Sequence, residues 1–548
     1  MTLGFTLLKQ FPAIAQLAAS VCGAPEICCK RLATSLSAEK IFKASEPNYR
    51  VENNKYWSST CVLEPACILV PESPSDVSTA VQILAENNCE FGIRGGGHAT
   101  NPGWAGTDSG VLISLSELNK IEVSKDKSSV LIGAGNRWGD VYAKVGEYGI
   151  MVAGGRISLV GIISLSKLNK IEVSKDKSSV LIGAGNRWGD VYAKVGEYGI
   201  TVAGGRISLV GVSGFLLGGG LSFLMHAEGF AADNVLSYEI VLADGEVTTV
   251  TEESAADLFK ALKGGTGNFG IVTSFELRTF PIDNVYAGRL YYSPEEYDAL
   301  FPIMETYARQ GIESDPKTHV ISMFACVPSQ SIDMATFYSF YSEPVTTPPP
   351  AIKPFFDVPT IVNTVQVKTV KEAADELGEG GENESPVRYN FRDYTIRADA
   401  ELYKRLFDIW HSTAMGLNST SGWASGIVYQ PISNSMIRAS DTKGGNVLGL
   451  EPADDPLVIV SYLFAWTLPE DDDKVYAVID KLIAASMDIA RSQNRLGRFI
   501  YLNYASASQQ PIQSYGPAQV NFLRQVKAKY DPNRVFEKLS RGGFKIPS

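Results

Sequence analysis

An α+β fold is what the sequence predicts, and three patterns predict it. Residues 66–94 read as a strand–helix–strand unit. Residues 121–132 read as a hairpin. The C-terminal half alternates amphipathic helices at 295–308 and 469–491 with a strand at 457–464. In the first unit, 66–70 is the strand and 71–74 the turn. Ser75 is the expected N-cap, with Asp76 in the first turn, and Val77, Ala80, Val81 and Leu84 recur at helical spacing. Residues 91–94 form the second short strand, and Gly95, Gly96, Gly97 and His98 follow it.

Glycines after a strand let backbone N–H groups approach an anion such as a pyrophosphate. A histidine ending such a loop stands beside whatever binds there, and the chain has only 4 histidines. Ala99-Thr100-Asn101-Pro102-Gly103 does not read as a helix start, so this is not the glycine turn of a Rossmann unit. The plain alternative is a tight turn with a surface histidine.

The 548 residues suffice for two or three domains, and a net charge of −11 without a basic cluster argues against a nucleic-acid partner. No apolar run is long enough for a membrane span. The first two dozen residues end in small side chains like a cleavage site, but they lack a basic start, and Lys9 and Gln10 interrupt the apolar run. A cytoplasmic location is therefore slightly favoured over secretion. Seven cysteines leave this open: Cys22, Cys28 and Cys29 could pair with Cys61 or Cys67, or all could be reduced thiols. Asn383-Glu384-Ser385 and Asn418-Ser419-Thr420 are glycosylation sequons that matter only on export. A monomer is expected, and no metal site.

Residues 113–161 recur at 163–211, with only Glu117 against Lys167 and Met151 against Thr201 differing. Each copy reads as strand, polar turn, strand, glycine turn, helix, strand. In the first copy Trp138, Val141, Tyr142 and Val145 give the helix its apolar face, and Gly149 suits its C-terminal end. Two near-identical copies are not a solenoid, which needs more units. They read as a local tandem duplication inside a non-repetitive fold, or as a gene-model fault. One sheet position cannot hold both. The surplus is expected to leave at a surface loop, either the turn 124–129 (re-entering at 174–179) or the turn 146–149 (re-entering at 196–199). Closing a loop of that size costs about 3–4 kcal/mol, less than typical domain stability.

A second glycine cluster ends the second copy: Gly204-Gly205-Arg206, then Gly211-Val212-Ser213-Gly214 and Phe215-Leu216-Leu217-Gly218-Gly219-Gly220. It is too glycine-rich for an ordinary helix or strand interior and suits close approach of backbone to a flat or phosphorylated ligand, or a packed turn. Ala232-Asp233-Asn234, the strand 238–243 into Asp244-Gly245, the helix 257–262 and Asn268-Phe269-Gly270-Ile271-Val272 follow.

From about Tyr56 onward the motifs YWS, PACILVP, RGGGH, GAGNRWGDVY, VAGGRISLVGVSGFLLGGG, ADN, VLADG, DLFKALKGGTGNFGIVT and KYDPNRVFEKLSRGGFKI stand in one order. With them the chain resembles the FAD-linked oxidases of the p-cresol methylhydroxylase and vanillyl-alcohol oxidase superfamily. Within it, the chain is most similar to the berberine-bridge-enzyme-like group of fungal secondary metabolism. The resemblance implies a two-part PCMH-type FAD-binding domain and a substrate domain whose antiparallel sheet is covered by helices. Its divisions are an N-terminal arm at 1–60, the FAD-binding domain at 61–282, the substrate domain at 283–500 and a C-terminal segment at 501–548 that returns to the FAD domain. Residues 344–354 and 372–385 are expected as surface loops.

By the same resemblance His98 bonds covalently to the flavin, and Arg94, Gly95, Gly96 and Gly97 hold the pyrophosphate. Gly204, Gly205, Gly214, Gly218 and Gly219 face them across the cofactor. Gly270, Ile271 and Val272 contribute a strand-edge contact through backbone, and Asn503 lies near the ring. Ile207 stands where relatives with a second link carry cysteine, so a single histidyl bond is implied.

The implied chemistry is hydride transfer from a small natural-product alcohol, amine or polyketide to flavin N5, with dioxygen reoxidising the flavin to give hydrogen peroxide. Tyr501 and Tyr504 are the candidate bases by location, against core packing as the plain alternative. Tyr389, His319 and His411 fall in the substrate domain without a reason to choose among them, and His226 is expected to be structural. Two other readings stand: a sugar or oligosaccharide oxidase, and a non-catalytic product disabled by the duplication.

Overall fold

The computed structural model describes residues 25–94, 100–114, 121–123, 130–132, 170–184, 186–378, 387–540 and 542–547. The glycine–histidine loop at 95–99 and most of the first repeat copy, including Trp138, Val141, Tyr142, Val145 and Gly149, lie outside these residues, as does the sequon at Asn383.

The strand–helix–strand unit forms as expected, with a shifted start. The helix is Pro74–Glu86, and its N-cap is Ser73, whose hydroxyl accepts from Asp76 N, rather than Ser75. Proline at the first helical position moves the cap two residues earlier, because its fixed φ is already helical and its missing N–H would be unpaired there. Val77, Ala80, Val81 and Leu84 are buried. Strands Cys67–Leu69 and Phe91–Arg94 both run parallel to Val111–Ser114, which lies between them, and Ile41–Lys43 adds an antiparallel edge. Helix Pro25–Leu36 is tied to this unit by disulfides Cys28–Cys89 and Cys29–Cys67. The reduced-thiol alternative is thus not the one adopted, and Cys28 and Cys29 pair with Cys89 and Cys67 and not with Cys61.

The second sheet is antiparallel: Val247–Val250, Val235–Val241, Ile271–Phe280, Ser179–Gly183 and Ile171–Val173 in order, with Thr201–Val202 pairing the far end of Ile271–Phe280. Ser179–Gly183, Ile171–Val173 and Thr201–Val202 come from the second repeat copy. Among the described residues the first-copy hairpin, Ile121–Val123 with Val130–Ile132, pairs only with itself. Both expected exits are therefore corrected: the copies part before the hairpin, between Ser114 and Lys170, so the second copy supplies hairpin, helix and last strand as one unit. That choice is physical, because a hairpin and the helix packed on it stay in one continuous piece. In the second copy Trp188, Val191, Tyr192 and Val195 of helix Trp188–Gly196 are all buried, and Gly199 takes the left-handed conformation after the helix at φ 67°.

The third sheet is antiparallel throughout. Its order is Val362–Asn363, Asn284–Tyr292, Ile332–Tyr341, Thr318–Val327, Ala424–Ile432, Leu457–Trp466 and Arg388–Arg397, with Gln366–Thr369 also on Asn284–Tyr292. Helices Tyr297–Thr306, Ala400–Met415 and Asp472–Ser492 share its apolar core. The segment expected as a loop from 372 is a helix, Val370–Gly378, and 344–354 runs into a short one, Lys353–Asp357. Val370, Ala373 and Ala374 are buried at helical spacing beneath an acidic exterior, and Glu372 accepts from Thr369 N. The charged face hid the apolar one.

Candidate active site

Segment 501–507 bonds both Asn101 and the second glycine cluster. Asn503 Nδ2 donates to Phe215 O at 3.1 Å and to Tyr501 Oη at 3.1 Å. A Cβ on Gly218 would sit 2.0 Å from Asn503 Oδ1, so only glycine fits against this side chain. From the other side Asn101, three residues after His98, donates to Ala505 O at 3.0 Å and accepts from Ala507 N at 3.0 Å. The chain just beyond the first glycine loop and the end of the second cluster are therefore held by neighbouring residues of one segment, in spite of the surplus copy between them.

Arg94 is fully buried, and its guanidinium donates to Glu52 Oε1 (2.9 Å), Ser114 Oγ (2.9 Å) and the carbonyls of Glu52 and Asn53. Burial alone would raise the Glu52 carboxyl, but the Lys55 and Arg94 cations hold it below its ordinary value. The Arg94 side chain is thus committed to the scaffold, and its main chain adjoins the glycine loop. Gly95, Gly96, Gly97 and His98 themselves lie outside the described residues.

The second cluster has mixed reasons for its glycines. A Cβ at Gly204 or Gly205 would come within 2.3 Å of the Trp188 ring, so these two lie flat on an indole. Gly219 takes φ 102°, where other residues are strained. Gly214 has open space where a Cβ would go, and it sits inside a short helix, Val212–Leu217. That helix departs from the expectation that the stretch is too glycine-rich to be helical; six residues with buried Val212 and Leu216 suffice.

Between these elements and the third sheet, Arg206 forms a buried hub. It donates from Nη1 to His319 Nε2 at 2.9 Å, and from Nη2 to Gln430 Oε1 at 2.6 Å and Tyr504 Oη at 2.8 Å. His319 and Gln430 come from adjacent strands, Thr318–Val327 and Ala424–Ile432. A guanidinium has no acceptor, so His319 Nε2 accepts and the ring is neutral with its proton on Nδ1. Burial, then the Arg206 charge and His226, push the His319 imidazole well below its ordinary value. Burial and Arg206 push His226 down to about 3. His226 Nδ1 lies 3.0 Å from Ser433 Oγ, in keeping with a structural role.

The two tyrosines expected as bases stand together, rings edge to face at 4.9 Å, in unlike settings. Tyr501 is 1% exposed, and burial, then Tyr504, raises its phenol. Tyr504 is only half-buried and takes the Arg206 bond. Its ring stacks on Phe391 at 5.9 Å, and Trp57 stacks on Tyr389 at 3.7 Å, so alternate residues of strand Arg388–Arg397 continue an aromatic surface from Tyr504. His411 is elsewhere: it bonds Asp333 at 2.8 Å and stacks on Phe407 among the covering helices. Sequence reasoning missed Arg206 and Gln430 as site residues. A lone arginine inside an apolar, glycine-rich run was a usable signal for Arg206; nothing in a strand sequence marked Gln430.

The residues present fit a flavin dinucleotide. Ile271 and Val272 pair with Val241 and Ile240 on one side, while pairing with Ser179–Gly183 on the other begins only at Ser274. Among the described residues the second backbone edge at Ile271 and Val272 has no partner strand, as a backbone contact to a ligand requires. Trp188 Nε1, under Gly205, is a buried donor without an acceptor. Among the described residues no His/Cys/Asp/Glu group could hold a metal, and no helix is long and apolar enough to cross a membrane.

Comparison with known proteins agrees. The family model described as an FAD binding domain matches residues 65–162 and again 151–251, and the one described as berberine and berberine like matches 500–538. The chain is 31% identical over 494 residues to the FAD-dependent monooxygenase tpcD of Cochliobolus heterostrophus, covering 88% of this chain and 85% of the relative. It is 32% identical over 527 residues to the FAD-dependent monooxygenase AOL_s00215g279 of Arthrobotrys oligospora, covering 95% and 90%. In fold it is similar to 6-hydroxy-D-nicotine oxidase from Arthrobacter nicotinovorans, at a TM-score of 0.72 and 20% identity, covering 92% and 97% of the two chains. The order of sheets and these matches lead to one conclusion: the chain belongs to the berberine-bridge-enzyme-like family of FAD-dependent oxidoreductases, with a PCMH-type FAD-binding domain.

Proposed function

We propose that the protein is an oxidase of a small, flat natural product bearing a hydroxyl or amine on the carbon that is oxidised. FAD supplies the hydride acceptor at N5, and dioxygen takes the electrons to give hydrogen peroxide. The observation that carries this reading is the convergence of Tyr504, Arg206, His319 and Gln430 on segment 501–507, which also holds Asn503 against Gly218. His98 holds the cofactor covalently and alone, because Ile207 cannot form a second bond. Arg94 to Gly97 serve it through main chain on one side, and Gly214, Gly218 and Gly219 on the other.

Tyr504 is the better base of the two tyrosines. Arg206 donates to its oxygen and so fixes where that oxygen stands, and Tyr504 is half-buried where Tyr501 is enclosed. Tyr504 Oη takes the substrate proton, Gln430 fixes the Arg206 fork, and the surface formed by Phe391, Tyr389 and Trp57 stacks the flat part of the substrate. Tyr501 serves as the support that holds Asn503.

Anaerobic mixing with a panel of aryl alcohols, amines and polyketide lactols tests the reading. Bleaching of the flavin band, then recovery on admitting air with one hydrogen peroxide per substrate, is expected. A flavin that no panel member bleaches would overturn it. The name of the relatives, FAD-dependent monooxygenase, favours a second reading, monooxygenation. That reading predicts dioxygen uptake with an oxygen atom in the product and no matching peroxide.

A further inference from the structure

We propose that Arg206 is the receptor for an anionic oxygen of the substrate, so that this enzyme takes carboxylic acids or ionised enols in preference to their neutral counterparts. The inference deepens the proposed function and rests on it for the word substrate.

Three arginines are buried among the described residues: Arg94, Arg206 and Arg392. Arg94 is paired with Glu52 at 2.9 Å and Arg392 with Asp480 at 3.1 Å. Arg206, 7% exposed, has no carboxylate within ion-pair distance among the described residues. Its three placed bonds go to a neutral imidazole, an amide oxygen and a phenol oxygen. A buried charge without a counter-ion is costly, and natural proteins retain one where a ligand brings the opposite charge. The guanidinium is also well prepared for an anion. Acceptors from two strands and from segment 501–507 fix its plane, and the three placed bonds leave the Nε hydrogen and one Nη1 hydrogen for an anionic oxygen. Its position is right for specificity, since the same nitrogen that meets Gln430 meets Tyr504, the proposed base. An anionic oxygen at Arg206 places the neighbouring carbon beside the Tyr504 oxygen. A cationic amine would meet a like charge there and be rejected.

Three probes of similar size separate the outcomes on the purified holoenzyme: benzoate, the enolate of 1,3-cyclohexanedione, and benzamide as the neutral twin of benzoate. Binding is followed by intrinsic tryptophan fluorescence, which does not depend on turnover. At least tenfold tighter binding of benzoate than benzamide is expected. Arg206→Gln should abolish that difference, and Arg206→Lys should keep part of it. Tight binding of benzoate alone assigns the site to carboxylates, and tight binding of the dione enolate extends it to enols. Equal affinity for benzoate and benzamide, or an unchanged benzoate affinity in Arg206→Gln, would overturn the proposal. Should Arg206→Gln fail to fold, the wild-type ratio and Arg206→Lys still decide. A holoenzyme that prefers benzoate yet never bleaches with any donor would instead sink the oxidase reading and leave the anion site standing.

Discussion

Residue by residue, the site divides into groups that can move a proton and groups that hold them. Tyr504→Phe should lower kcat by about 100-fold or more with little change in folding, the usual scale for loss of a general base. Tyr501→Phe should cost less than about tenfold, because it removes a support for Asn503 and not the reacting oxygen. Steady-state kinetics of the pair check both; equal losses would contradict the assignment. His226 and His319 give a pH dependence of stability. Both imidazoles are held below the ordinary 6.5, so between that value and the folded one the unfolded chain binds more protons. Their contribution is complete above pH 6.5 and falls away as the pH drops, for His226 down to about 3. Each contributes a slope of roughly 1.4 kcal/mol per pH unit in that window. Urea unfolding of His226→Gln across pH 4–7 should show a shallower acid loss than wild type.

Asn503 was implied by the family resemblance and Tyr504 was a candidate by location alone. Arg206 lies in VAGGRISLVGVSGFLLGGG, but its role depends on His319 and Gln430, 113 and 224 positions further along the chain. Such pairings have no local signature.

Among elements, the N-terminal helix is the least secure without its covalent ties. Pro25–Leu36 is short, and it meets the parallel sheet through Cys28, Cys29 and Leu32. The disulfides close loops of 61 and 38 residues, for which chain entropy predicts about 4 kcal/mol each and engineered bonds commonly deliver about 2–4. Cys28→Ser with Cys29→Ser should lower Tm by several degrees and free Cys67 and Cys89 to alkylation; an unchanged Tm would contradict the pairing. Both bonds suit folding in an oxidising compartment, where sequence alone had leaned slightly towards the cytoplasm. The pattern of apolar spacing served the long elements well: the helix from Asp472 and the strand from Leu457 stand where periodicity put them. It failed at Val370–Gly378, whose buried face is only Val370 and two alanines at the head of a Glu/Gly-rich run.

For the molecule as a whole, the surplus copy is the departure that matters. Among the described residues the second sheet is built from residue 170 onward, and segment 501–507 still bonds both Asn101 and Phe215. Removing residues 115–164 joins Ser114 to Leu165 and leaves one copy. The shortened chain should fold with equal or higher Tm, since the loop-closure term of about 3–4 kcal/mol falls, and should keep its flavin. The three-sheet architecture, a two-part FAD-binding domain plus a substrate-domain sheet, was legible from motif order. Which copy enters the sheet was not, because identical sequences offer identical local propensities and only the continuity of hairpin with helix separates them. The three readings of the chain now rest on whether this assembled cradle holds its cofactor. The direct measurement is the visible spectrum of purified protein before and after acid precipitation, with His98→Ala alongside. A flavin band that stays in the wild-type pellet and leaves that of His98→Ala is expected; colourless wild-type protein, or flavin released from it by acid, would contradict a covalently flavinylated oxidase.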